Sequence, residues 1–187
     1  MRLFFAIAMP EAVRWALGAG VTALRAHSDE VRWVRPAGWH LTLAFLGDVS
    51  VGGRARAQHA MGRAAVNARP CDLSIDGRLG RFGERVLWAA VTSRDGHLEA
   101  LVGRLRDELA AEGLRVEDRP FQAHLTLARG RRGQRLPSDP ALAAPGLPCH
   151  WTAARVGLLS SRLGGPGGCY HTLATWPLPY APLGAGT

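Results

Sequence analysis

His40-Leu41-Thr42-Leu43-Ala44 returns letter for letter as His124-Leu125-Thr126-Leu127-Ala128, 84 residues further along the chain (124 − 40). In each copy a polar residue alternates with a leucine, the period-two pattern of a strand with one buried face. Alternation sets His40, Thr42 and Ala44 on one side and Leu41, Leu43 and Phe45 on the other, with the leucines packed into a core. A single His-x-Thr on a strand is ordinarily a half-exposed polar face. His150-Trp151-Thr152 is such a case: it follows Pro148 and Cys149, lacks the leucine alternation, and reads as the edge of a closing strand. The identical pair is different, because strand propensity does not require histidine. An aromatic residue, Trp39 or Phe121, lies ahead of each copy. Two such units facing each other across a pseudo-twofold axis would bring two imidazoles and two hydroxyls into one cleft.

Working outward, Leu3 to Ala8 reads as a buried first strand. Pro10-Glu11 then opens a helix that carries Val13, Leu17, Val21 and Leu24 at helical spacing to about Ala26. The first repeat strand runs from Trp39 to Leu46 and ends at Gly47-Asp48. A second helix follows from about Val51 to Ala68, stopped by Pro70. Leu73 and Ile75, then Arg85 to Thr92, give two more strands, expected to form a hairpin across Gly80-Arg81-Phe82-Gly83. A third helix from about Asp95, its expected N-cap, to Glu112 shows Leu98, Leu101, Val102, Leu105 and Leu109 on one face and stops at Gly113. The second repeat strand covers Ala123 to Ala128. A loop rich in Arg, Pro and Gly spans Gly130 to Pro148, and closing strands lie near Ala154 to Ser160 and Cys169 to Trp176, with the Gly164-Gly165-Pro166-Gly167-Gly168 run between them. The tail from Pro177 is expected to fray. Strands interleaved with three helices define an α+β sandwich, read as one domain of two lobes over residues 1–187.

Composition narrows the class further. The 187 residues are 47% hydrophobic, enough for a buried core, which excludes wholesale disorder. The formal charge is +8, from 23 basic residues against 15 acidic, and with no lysine in the chain every one of those cations is arginine. The guanidinium fork suits phosphate oxygens, yet an arginine-biased genome would give the same count. Cys71, Cys149 and Cys169 form no CxxC pair and leave an odd thiol, against a disulfide framework or zinc knuckle. No apolar run approaches the roughly 18 residues of a membrane span. A soluble cytoplasmic protein is therefore expected, with no membrane partner and, in the simplest reading, a monomer.

Two histidines and two hydroxyls in one cleft suit a particular chemistry. Imidazole titrates near neutrality, so one ring can accept a proton while another donates one at the same pH. In-line displacement at phosphorus needs such a pair, a base on the attacking water and an acid on the departing alkoxide. Threonine hydroxyls and an arginine can hold the non-bridging oxygens. The remaining histidines lack this context: His27, His59 and His97 fall on or beside helices, and His171 sits in the closing strand. No HExxH, paired HxH, Asp-rich cluster or P-loop appears, so neither a metal nor a cofactor is expected.

The paired motifs, the opening Arg2-Leu3-Phe4-Phe5-Ala6-Ile7 strand, the run His40 to Gly47, Pro120-Phe121 before the second motif and Tyr170 before the last strand resemble the 2H phosphoesterase superfamily. Within it the chain is most similar to the bacterial RNA 2′,3′-cyclic phosphodiesterases, also called 2′-5′ RNA ligases, from Arg2 through Trp176. The resemblance implies a bilobal fold of two facing antiparallel sheets with outer helices. It also implies a metal-free enzyme that opens a terminal 2′,3′-cyclic phosphate on RNA, the ends of tRNA halves included, to a 2′-phosphate, with reversal to a 2′-5′ ligase. Carried over, His40 is the proton donor to the leaving 3′ oxygen, His124 the proton acceptor, and Thr42, Thr126 and Arg129 bind phosphate. Strand alternation alone turns Arg129 away from His124, so its role requires the strand to end or twist there.

Candidate RNA contacts are Arg131 and Arg132, with Arg135 beside them, and the aromatic residues Trp39, Phe45 and Tyr170, with Phe121 as a further stacking surface. The glycine-rich loop after Arg162 lacks the basic residues expected of the family there. Two other readings stay open: a relative acting on a small cyclic nucleotide or 2′-5′ oligoadenylate, and a non-catalytic RNA- or nucleotide-binding protein.

Overall fold

The computed structural model describes residues 1–25, 31–117, 119–130, 136, 149–162 and 169–179. Its elements are β1 (Arg2–Ala8), α1 (Glu11–Arg25), β2 (Val31–Trp33), a 3-10 turn (Pro36–Gly38), β3 (His40–Asp48), α2 (Val51–Val66), β4 (Cys71–Ile75), β5 (Leu79–Phe82), β6 (Val86–Ala90), β7 (Thr92–Ser93), α3 (His97–Ala111), β8 (His124–Gly130), β9 (Cys149–Ala153), β10 (Arg155–Arg162) and β11 (Cys169–Pro177). The result is the α+β, bilobal arrangement expected from the sequence. All strand pairs are antiparallel. The main sheet runs β11-β10-β1-β3-β8-β6-β5, with β2 added beside β8, and a smaller sheet runs β7-β4-β9.

The two repeat strands sit at the centre of the main sheet. They pair through Leu41 and Leu125 alone, whereas β1 and β3 pair over seven positions, Arg2 to Ala8. Four strands therefore belong to each half, β11, β10, β1 and β3 on one side and β8, β6, β5 and β2 on the other. Equivalent residues of the two copies meet at the junction, as a pseudo-twofold axis requires.

The leucines of both copies, Leu41, Leu43, Leu125 and Leu127, lie in one buried cluster with Leu3, Phe5 and Ile7 of β1. Helix α1 buries Val13, Leu17, Val21 and Leu24, and α3 buries Leu98, Leu101, Val102, Leu105 and Leu109, the faces marked out by their spacing. Small residues line the buried side of α2, Gly53, Ala57, Ala60, Ala64 and Ala65, which lets it pack closely on α3. Ser50 caps α2, its Oγ accepting the Gly53 N–H at 3.1 Å. Gly113 ends α3 with φ of 68°, a left-handed conformation that favours glycine. Among the described residues no helix is long and apolar enough to cross a membrane.

Several expectations need correction. Residues 80–82 are not a turn: they belong to strand β5, which turns at Gly83, with φ of 52°, to form its hairpin with β6, while β4 leaves for the smaller sheet and pairs with β9 and β7. Alternation in Leu73 and Ile75 records a buried face without saying which sheet provides it. His150-Trp151-Thr152 belongs to a separate strand, β9, with Trp151 buried and the other two exposed. The cap position of α3 is Gly96, and the Asp95 carboxylate reaches past it to accept the His97 N–H at 3.0 Å. Pro177 lies in β11, and Leu178 is 2% exposed, its N–H donating to the Ala154 carbonyl, so order extends past the expected start of the tail. The Gly164–Gly168 run lies outside the described residues.

Candidate active site

Each repeat histidine is oriented by the backbone two residues before it. His40 Nδ1–H donates to the Gly38 carbonyl and His124 Nδ1–H to the Gln122 carbonyl, both at 2.8 Å. A carbonyl only accepts, so Nδ1 carries the proton and Nε2 of each neutral ring is a free base. The two anchors match across the pseudo-twofold axis. His40 and His124 line a shared pocket of ≈ 190 Å³ with Thr42, Thr126, Arg129, Phe45 and Tyr170. Neither threonine hydroxyl has a hydrogen-bond partner among the described residues, so both are available to a ligand.

A shared irregularity decides what else reaches the pocket. In β3 the pairing with β1 steps from Thr42 opposite Ala6 to Ala44 opposite Phe5, which leaves Leu43 as an extra residue. In β8 the pairing with β6 steps from Thr126 opposite Trp88 to Ala128 opposite Leu87, which leaves Leu127 extra. Each copy thus carries a β-bulge at its second leucine, and two consecutive residues, Leu43-Ala44 or Leu127-Ala128, turn inward. The sixth residue of each copy is thereby returned to the histidine's side. Ala44 goes to the core, contrary to simple alternation, while Phe45 and Arg129 face the pocket. The condition on Arg129 is met by a bulge, and its guanidinium has no carboxylate partner among the described residues.

Aromatic rings enclose both imidazoles. Tyr170 lies edge-on to His40 with centroids 4.8 Å apart, and Phe4 is 5.0 Å away. Phe82 lies edge-on to His124 at 4.7 Å, and Trp88 stands at 6.0 Å. Trp88 reaches this position across Gly80, where a Cβ would come within 2.2 Å of its ring. Arg119 sits over the outer face of Phe82 at 5.5 Å and is ion-paired with Glu117 at 2.7 Å.

Both histidines are held below their ordinary pKa of 6.5, chiefly because burial disfavours the imidazolium, with the backbone carbonyls opposing this. Charge adds to the effect: Arg129 and His124 act on His40, and Arg119 and Arg129 act on His124. With no ligand bound, both rings are mainly neutral at pH 7.

Among the other sequence candidates, Tyr170 and Phe45 are in the pocket. Trp39 is not: it is 3% exposed in the core and borders a separate pocket against α1, which removes it from the RNA contacts. Phe121 lines an adjoining pocket. Arg131, Arg132 and Arg135 lie outside the described residues. Phe4, Phe82, Trp88, Glu117 and Arg119 were not singled out by the sequence. Phe4 lies inside a uniformly apolar strand with nothing to mark it, and Phe82 lies between glycines that look like a turn signal.

Comparison with known proteins agrees with this geometry. The model of the 2′-5′ RNA ligase superfamily matches residues 11–165, and the chain belongs to that family. Among curated proteins, the RNA 2′,3′-cyclic phosphodiesterase of Thermus thermophilus is 31% identical, over 95% of this chain and 90% of its own length. That of Geobacillus stearothermophilus is 32% identical over 81% of this chain, which spans about half (49%) of that relative's length. The crystal structure of Escherichia coli LigT complexed with 3′-AMP superposes with a TM-score of 0.75 at 28% identity, covering 95% of this chain and 97% of the other.

Proposed function

We propose that this chain is an RNA 2′,3′-cyclic phosphodiesterase that opens a terminal cyclic phosphate to a 2′-phosphate by general acid and base catalysis without a metal ion. The single observation that carries the reading is the matched pair of Nδ1-anchored histidines on one pocket with Thr42, Thr126 and Arg129. His124 Nε2 takes a proton from water as its oxygen attacks phosphorus. The bond to the 3′ oxygen breaks, and His40 Nε2–H protonates that oxygen. Thr42, Thr126 and Arg129 hold the non-bridging oxygens and offset the charge that builds on them.

Two features favour this direction of proton flow. Arg119 and Arg129 both act on His124, which suits the neutral base. His40, packed between Phe4 and Tyr170, is disfavoured as an imidazolium by its burial in the free protein and needs a charge in the complex to hold its proton. A bound phosphate's negative charge opposes the causes that lower the His40 pKa and favours its protonation in the complex. RNA 3′ ends, those of cleaved tRNA included, are the substrate class.

The deciding experiment incubates a short RNA ending in a 2′,3′-cyclic phosphate with the protein in EDTA and identifies the end formed. A 2′-phosphate is expected, and an unchanged end or dependence on added metal refutes the reading. The pH profile is a second expectation. The base must be neutral and the acid protonated, and both values are lowered, so kcat/KM peaks on the acid side of pH 6.5 and falls above it. The alkaline limb of kcat lies at higher pH than that of kcat/KM, because the bound substrate raises the pKa of the acid. Coincident limbs in the two profiles would contradict the proposed charge coupling.

A further inference from the structure

The segment from Val34 to Trp39 separates two cavities. Val34 and Gly38 line the histidine pocket, whereas Pro36 and Trp39 line a larger cavity of ≈ 490 Å³ formed with α1. That volume falls within the range of about 300–1,000 Å³ usual for small-molecule sites. Helix α1 contributes Glu11, Arg14, Trp15, Gly18, Thr22 and Arg25, which recur at three- and four-residue spacing and so form one face, apart from the face of Val13, Leu17 and Leu24 that packs on the core. Three observations point to an occupant. Gly18 stands in the middle of a helix, where glycine is disfavoured, yet a Cβ added there would meet no atom within 4 Å, so no neighbour in the fold requires it and its effect is to deepen the cavity floor. Trp39 is 3% exposed, and its indole N–H is buried with no hydrogen-bond partner among the described residues; Arg25 Nε is unpartnered in the same way. Trp15 lines the cavity while remaining 75% exposed, a large apolar ring left in water.

The polar groups specify what fits. Arg14 has the Glu11 carboxylate one turn away and donates to the Met9 carbonyl at 2.9 Å, and Thr22 donates to the Gly18 carbonyl at 2.9 Å, so both are engaged locally. Arg25 has no carboxylate partner among the described residues and lies over the Trp33 ring at 5.9 Å. The cavity thus has an apolar body of Trp15, Trp39 and Pro36 around Gly18 and one uncompensated cation about 10 Å further along the helix. We infer that it binds a flat aromatic acid, its rings over Gly18 between the two tryptophans and its anionic end at Arg25, and that the occupied cavity steadies the turn that orients His40. Ring stacking and a charge-assisted bond to the guanidinium supply the affinity. The coupling runs through one short segment. Val34 N–H donates to the Leu127 carbonyl and Gly38 N–H to the Arg35 carbonyl, both at 2.8 Å, and the Gly38 carbonyl accepts His40 Nδ1–H. A ligand packed on Pro36 and Trp39 therefore bears on that imidazole from behind. His124 has its own anchor at Gln122 and does not line the cavity, so the site acts on one histidine of the pair.

Calorimetric titration of the whole protein with 2-naphthoate tests the site, with 2-naphthamide as the uncharged counterpart. The acid should bind saturably, one molecule per chain, and the amide about tenfold more weakly, the scale of one charge-assisted hydrogen bond. Arg25→Gln should weaken the acid about tenfold and leave the amide unchanged. Gly18→Leu fills the open floor and should abolish binding of both, with a melting temperature no lower than wild type, because leucine is the better helix former. In NMR spectra the His40 ring signals should move as the acid saturates and those of His124 should stay. A carboxylate could also enter the histidine pocket. Binding that persists in Gly18→Leu, or equal shifts of both imidazoles, would place the acid there and overturn the cavity as its site. Absence of binding to the wild-type protein, or an Arg25→Gln effect equal for acid and amide, would do the same, and binding at the cavity with His40 unmoved would refute the coupling. None of these measurements uses hydrolysis, so their failure is distinct from failure of the two-histidine chemistry.

Discussion

Alanine in place of His124 or His40 should lower kcat/KM by about 10² to 10⁴ each, the usual contribution of one positioned acid or base. The double variant should be little worse than the more damaging single one, because the two proton transfers belong to one displacement and their effects do not add. The pH profile separates the roles. Removing His124, which must be neutral to act, abolishes the acid limb; removing His40, which must be protonated, abolishes the alkaline limb. The fold should survive both. Each change frees one backbone carbonyl at the edge of the cleft and thins a ring cluster, and the leucine cluster beneath is untouched. Circular dichroism and thermal melts on the same samples check this. Activity near wild type in either folded variant, or loss of the opposite limb, would be incompatible with the assigned roles.

What the sequence made legible was whatever repeats at short range. The five-residue duplication located both histidines and both threonines, and helical spacing located the buried faces of α1 and α3. The errors arose where a feature depends on a partner strand. A bulge is a property of two paired strands, and nothing within Leu43-Ala44 or Leu127-Ala128 marks an extra residue, so strict alternation placed Phe45 in the core and turned Arg129 outward. For the same reason β5 was lost. Its glycine looks like a turn signal, but Gly80 is glycine because the Trp88 ring crosses directly over its Cα from the neighbouring strand. Charge was uninformative in bulk. Arg54 and Arg56 lie on α2, and Arg63 there pairs with Glu108 and Glu112, while Arg129 and Arg119 line the histidine pocket.

The identical copies differ at the residue after the bulge, and that difference gives the cleft its direction. Phe45 on one half and Arg129 on the other occupy equivalent places, so the pocket has a cation beside one histidine strand and an aromatic ring beside the other. Replacing Arg129 by Gln should lower kcat/KM by about 10² to 10³, the cost of losing one preorganised donor to a developing oxyanion. The same change removes a positive charge that acts on both histidines, so the whole pH profile should move to higher pH. Arg129→Lys isolates the two effects. An ammonium retains the charge, so the profile stays near its wild-type position, but it cannot bind two phosphate oxygens as a fork, so the rate recovers only in part. Full recovery in the lysine variant would show that charge alone is required. A profile unmoved in Arg129→Gln would show that Arg129 does not act on the imidazoles, and its place in the reaction would then rest on phosphate binding alone.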